Sequence, residues 1–370
     1  MTIKRQLLNI SQKSIDVRSG SGALEELPRI VSGAVGMPKR ALLVSTDDAY
    51  TAYGDAVRRA LIDAGFSTEE CVFPRETDPA TLSSATEVLA GCARAALTAD
   101  DLMLALGDAK LCSSALLAAQ LWCGGVPCTL IPTTLDAMVT LPTEMHPLAT
   151  PEAPDMVSLR PMPTMVVCDF DLIADMPLEA RLEGRALMLG AALAEGKRVW
   201  DQLAESAPLI AADEPVAFSE VFGPVQQARR NVVKAANPSA RHALSYGRAT
   251  ARALARCLGP EAPGWALLSE GMRFEARLAV EAAGLDADIV FDQDDLFEDL
   301  GIEEYGFSLD AEGFVRALKE EHARRSNRFL LPLPKSVGTI RLTAVPDDVL
   351  MRHAACLCCF ACGARGIADD

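Results

Sequence analysis

"TLIPTTLDAMVT", Thr129 to Thr140, starts as a buried strand and stops on Pro132 before two adjacent threonines. Proline lacks a backbone donor and fixes φ, so the run leaves its sheet there, and Thr133 and Thr134 offer hydroxyls where the strand has ended. In open parallel sheets ligands bind at that place, beyond the carboxyl ends of the strands. A polar strand end also occurs where nothing binds, so the flanking segments decide.

Those segments alternate. "ALLVST" (41–46), "CVFP" (71–74), "LMLAL" (102–106), "CTLIP" (128–132) and "TMVVCD" (164–169) are short apolar runs. Helical spacing fills the intervals: Tyr53, Val57 and Leu61 before Gly65, then "TLSSATEVLAGCARAAL" (81–97) and "LCSSALLAAQLW" (111–122). Strands apolar on both faces, alternating with helices, imply a parallel sheet covered on both sides. From Leu178 onward long helical stretches take over, "LEARLEGRALMLGAALAEGKRVWDQLAE", "ARHALSYGRATARALARCLG" and "WALLSEGMRFEARLAVEAAG". The end, "RFLLPLPKSVGTIRLTAVPDDVLMRHAACLC", reads as an extended piece, a turn and a helix. The expected fold is α/β, an N-terminal Rossmann-like parallel-sheet domain over 1–176 followed by a mostly α-helical domain over 177–370. A chain of 370 residues exceeds what one core usually holds.

The formal charge of −16 argues against nucleic acid as the main partner, because binding phosphate backbones needs dense Lys and Arg. The opening "MTIKRQLLNISQKS" lacks the apolar stretch and cleavage site of a secretory signal, and no run reaches the roughly 20 apolar residues of a membrane span. A cytoplasmic protein without membrane contact is expected. Eleven cysteines, an odd number without a signal, favour reduced thiols serving as small core residues. Cys356, Cys358, Cys359 and Cys362 cluster in "CLCCFACG". Zinc sites usually combine two such pairs, or one pair with two histidines, and only His353 is near, so an apolar helix end with reactive thiols is the expected reading.

The order of the segments resembles the 3-dehydroquinate synthase family of sugar-phosphate cyclases. "DVRSGSGALEEL" looks like the family's opening strand and turn, and "ALLVSTDDAYTAYGDAVRRALIDAGF" is similar to its first β-α unit. "GGVPCTLIPTTL" resembles the segment leading to Ile-Pro-Thr-Thr-Leu, "VVCDFDLIADMP" the run closing the first domain, and "RFLLPLPKSVGTIRL" the C-terminal Leu-Pro…Ile-Gly segment. Iron-type alcohol dehydrogenases share the architecture but continue past the threonines with Gly-Thr-Gly-Ser, which is absent here. The resemblance implies NAD on the first domain, a divalent metal on the second, a seven-carbon sugar phosphate as substrate and a homodimer. By the same resemblance Gly107, Thr133 and Thr134 face the nucleotide, Glu76 falls near the adenosine, and Arg241 falls where the family uses a substrate arginine.

The departures concern chemistry. Family members bind zinc with one glutamate and two histidines, the first in Gly-His-Thr-x-Gly-His; the matching stretch "GRATAR" has Arg248 and Arg252 at the histidine positions. An arginine stays protonated and offers only donors. The glutamate position matches Leu187, the lysine after it matches Gly190, and no histidine lies between His242 and His322. Zinc is not expected. Where the family has three glycines and Gly-Asp, this chain has "GDAKLCSS", placing Asp108 where a pyrophosphate would pass. Lys110 either offsets that charge or is solvated at the first turn of the helix. The Pro-rich "LPTEMHPLATPEAPDMVSLRP" replaces a glycine-containing substrate loop.

Arg248 and Arg252 are one helical turn apart, and with Arg241 they form a candidate site for a carboxylate or phosphate. Pairing with acidic neighbours, in a chain holding 51 Asp and Glu, is the other reading of the same residues. Two functions follow: a catalytically silent 3-dehydroquinate synthase-like protein serving as a structural or partner subunit, or an active enzyme of this fold on a phosphorylated or carboxylated small molecule. Ordinary synthase activity in the shikimate pathway would need metal ligands the sequence lacks.

Overall fold

The structure is a computed structural model describing residues 3–10, 13–33, 35, 39–153 and 155–363, with side chains described except at 13 and 359–363. The chain forms two compact units, Met1–Pro177 with Phe218–Gln226, and Leu178–Ala217 with Gln227–Asp370. Phe218–Gln226 is the middle of the helix Pro215–Val233, and it groups with the first unit through Phe218 and Phe222, whose rings lie 6.1 and 5.3 Å from that of Phe170.

The first unit is built on a seven-stranded sheet. Its strands are β1 (Lys4–Ile10), β2 (Lys13–Gly20), β3 (Arg40–Thr46), β4 (Ser67–Phe73), β5 (Leu102–Gly107), β6 (Cys128–Pro132) and β7 (Met165–Asp169). They run in the order β1-β2-β7-β6-β5-β3-β4, all parallel except the β1–β2 hairpin. Every residue of β5, β6 and β7 is buried, as expected of central strands with helices on both faces. The chain steps outward from β3 to β4 and returns on the other side of β3 to β5, so the sheet's switch point lies between β3 and β5. Gly107 and Pro132 are register partners, which brings the ends of β5 and β6 side by side.

The second unit is helical, with one small hairpin of β8 (Leu331–Ser336) and β9 (Thr339–Thr343). Its centre is the helix Gly264–Ala283, buried from Ala266 to Ala276 without a break, as befits a helix surrounded on all sides. The helices Leu178–Glu195, Arg248–Leu258, Ala287–Asp299 and Asp347–Gly363 pack against it. No helix among the described residues is long and apolar enough to cross a membrane.

Two of the long stretches expected from periodicity are broken. Gly196, at φ +135, separates the helices Leu178–Glu195 and Lys197–Ala211. Gly247, at φ +78, separates the 3-10 turn Ala240–Ser245 from the helix Arg248–Leu258. Only glycine takes such angles without strain. Six of the nine cysteines with described side chains are buried, and burial pushes the thiols of Cys112, Cys128 and Cys168 well up, so those three are inert packing. In the terminal cluster Cys356 is exposed and Cys358 buried; the side chains of Cys359 and Cys362 lie outside the described residues.

Candidate functional site

Thr133 and Thr134 leave the end of β6 half-buried, with the Thr133 N–H donating to Gly107 O at 3.0 Å. Thr134 stands at the N-cap of the short helix Leu135–Thr140 without capping it through its side chain. The next acidic group is Asp136, whose carboxyl is pushed up to about 6. Burial is the main cause; the Thr134 hydroxyl opposes it, although the two atoms do not form a hydrogen bond of good geometry, and the Asp108 carboxylate adds to it. Two carboxyl groups therefore share the floor of this strand end, and that of Asp136 resists ionising.

Asp108 has a structural occupation. Its carboxylate N-caps the helix Ala109–Leu121, accepting from Leu111 N at 2.9 Å. The free N–H groups at such a terminus are what an incoming phosphate would use, and here the chain supplies its own anion. Gly107 is a packing residue: a Cβ on it would stand 2.5 Å from Leu111 Cδ2. Lys110 is exposed on the first turn, and Glu76 is exposed in the turn after the edge strand β4, three strands along from β6. Gly107, Thr133 and Thr134 thus stand together at the ends of β5 and β6, and Glu76 follows β4, three strands along.

In the helical unit Leu187 and Gly190 line a cavity of about 10 Å³ together with Leu268 and Met272. Arg248 opens the next helix, and its N-terminus is closed from outside. The fully buried Glu275 accepts from Gly247 N at 2.8 Å and from Thr250 Oγ1 at 2.7 Å. Burial pushes that carboxyl up to about 7, against the pull of these hydrogen bonds and of Arg252.

Arg252 points to a different partner. Its Nε meets Glu321 Oε1 at 3.1 Å, and the same buried carboxylate takes Arg325 and, at 3.5 Å, Arg324. Arg248 lies close enough that its charge lowers the Arg252 pKa, although burial is the larger cause and Arg325 contributes as well. Arg241 is not with them: it sits in the 3-10 turn before Gly247, exposed, its Nε donating to Ala235 O at 2.7 Å. The break at Gly247 removes the shared helical face that would have joined the three arginines. His242 comes in instead, lining a cavity of about 290 Å³ with Arg252, His322, Arg325 and Arg328. The sequence reading missed this set and Glu321; the basic run "HARRSNR" (322–328), directly after a helix, was the available signal.

No family model matches the sequence. A 3-dehydroquinate synthase from Thermobifida fusca is 26% identical over 362 residues, covering 96% of this chain and 96% of that protein. A 2-epi-5-epi-valiolone synthase from Streptomyces hygroscopicus, solved with NAD+ and Zn2+ bound, superposes with a TM-score of 0.80 over 97% of this chain and 99% of its own, at 18% identity. Along nearly its whole length the chain is similar to 3-dehydroquinate synthases in sequence, and to sugar-phosphate cyclases in fold. An iron-containing alcohol dehydrogenase from Thermococcus thioreducens, 15% identical over 93% of this chain and 98% of its own, reaches only 0.62. The cyclase side of the shared architecture is the nearer one.

Against that family, the residues present do not fit its zinc. Leucine and glycine side chains offer no ligand atoms, guanidinium groups offer no lone pair, and the small cavity beside Leu187 is lined by no His, Cys, Asp or Glu. Among the described residues no three His, Cys, Asp or Glu side chains come together as a metal site. At the end of β5 the Asp108 carboxylate already takes the Leu111 N–H, one of the helix-terminal donors a pyrophosphate would use.

Proposed function

We propose that this chain keeps the sugar-phosphate cyclase fold without its metal- and NAD-dependent cyclisation, and serves as a catalytically silent or partner subunit. One observation carries the reading: Leu187, at the family's glutamate position, lines a small cavity whose wall holds no carboxylate, imidazole or thiolate. The self-capped helix behind Gly107 supports the same conclusion for the nucleotide. By resemblance to the family the chain is a homodimer, which sedimentation of the purified protein tests.

Thermal unfolding with zinc and with NAD, alone and together, tests the reading, because any ligand that binds the folded state raises its stability by mass action. Neither should move the midpoint. A saturable rise with NAD removes the nucleotide half of the proposal, and a saturable rise with zinc removes the metal half. A second reading, an enzyme of this fold on a phosphorylated or carboxylated small molecule, is favoured by the cavity beside Arg252.

A further inference from the structure

We infer that the helical unit binds a small, multiply charged anion in the cavity lined by His242, Arg252, His322, Arg325 and Arg328, with Glu321 as the residue that positions the guanidinium groups. The inference rests on the second reading above for its location and requires no turnover.

Every ionisable residue lining this cavity is basic, in a chain whose formal charge is −16. Such a concentration of like charge is unfavourable unless something offsets it. Glu321 offsets part. It is 3% exposed, lies behind the lining, and receives Arg252, Arg324 and Arg325. Arg256 also reaches Glu321, at 4.0 Å, and pairs with Glu320 at 2.9 Å, so two carboxylates face four guanidinium groups; Arg325 is among the charges that depress the Arg252 pKa, after burial. Arg252 spends its Nε on Glu321 and, among the described residues, keeps both Nη atoms for another acceptor. Arg328 is exposed, and its guanidinium has no acidic partner among the described residues.

The ligand class follows from these donors. A single carboxylate satisfies one guanidinium fork, whereas Arg252, Arg325 and Arg328 together match a dianion, either a phosphate group or two carboxylates on one molecule. A volume of about 290 Å³ exceeds the need of one anionic group, so an organic portion fits too. Ser245 and Ser326 supply hydroxyls for it, and Leu330, Pro332 and Leu342 supply an apolar wall.

The test titrates the full-length chain with inorganic phosphate, a hexose 6-phosphate, citrate and acetate at constant ionic strength, following the unfolding midpoint and the heat of binding. Phosphate should stabilise saturably and acetate should not. Tighter binding of the hexose phosphate than of citrate assigns the phosphate ester, and the reverse order assigns the polycarboxylate. Arg328→Ala, an exposed change that leaves the fold intact, should weaken the preferred anion about tenfold or more. Arg252→Ala should do the same, and if it fails to fold the Arg328 variant still decides. Equal responses to acetate and phosphate, or an unchanged affinity in Arg328→Ala, would overturn the site. Such a failure leaves the loss of cyclase chemistry standing, since that is tested with zinc and NAD.

Discussion

Glu275 shows how a single buried carboxyl ties the arginine helix to pH. Its pKa rises from an ordinary 4.5 to about 7, so the folded chain holds a proton that the unfolded chain releases between those values. Stability therefore declines as pH rises through that window and levels off above it, by about 3 kcal/mol for this residue. Asp136, pushed up to about 6, adds to the same trend in the lower part of the window. Glu275→Gln keeps an acceptor for Gly247 N and removes the titration. Relative to the parent, that variant should gain about 2–3 kcal/mol on moving from pH 5 to pH 8 in urea unfolding. Parallel pH profiles would refute the assignment. Gly107 makes a second case at this scale. Were it kept for a phosphate, Gly107→Ala would leave stability unchanged; because its Cβ would press on buried Leu111, the variant should lose about 1–3 kcal/mol, read from the urea midpoint.

Between elements, Gly271 of the central helix lies directly against the backbone of Gly247. A Cβ on Gly271 would fall within the contact distance of Gly247 O, a backbone atom that cannot rotate away. Gly271→Ala should therefore cost on the order of 3 kcal/mol or more, exceeding Gly107→Ala, where a side chain can yield. A smaller loss than at Gly107 in the same denaturation series would contradict this packing. The five apolar runs were legible as β3 to β7 because central parallel strands carry an unbroken apolar signal. β1 was not, since "KRQLLNI" is an edge strand with exposed charges and only Leu8 and Ile10 buried. The helix breaks at Gly196 and Gly247 were hidden by apolar periodicity that continues through them, although the glycines themselves stood in plain view.

For the whole molecule, architecture was readable and the site only half so. That leucine and guanidinium side chains, as at Leu187 and Arg248, cannot ligate a cation is a matter of residue chemistry and needs no coordinates. Which charges face one another does need them. Arg241 is seven residues before Arg248, and periodicity placed it on the same face until Gly247 turned the chain. Arg325, Arg328 and Glu321 reach Arg252 from about seventy residues away, a proximity no local pattern encodes. The Pro-rich stretch was read as a lost substrate loop; in the structure Leu148 pairs with Val157, and Leu82 N donates to Ala149 O at 3.2 Å, so part of it is anchored to the sheet unit. On the proposed reading, a cyclase fold carries apolar side chains at the position of the family's glutamate and cationic ones beside it.

Incubating the purified chain with the family's seven-carbon sugar phosphate, NAD and zinc or cobalt, and measuring phosphate release, puts this to the most direct trial. Release should not exceed that of the same mixture without protein. Repeated turnover, with more than one phosphate freed per chain, would show that the cyclase chemistry survives and that the proposed reading of the site is wrong.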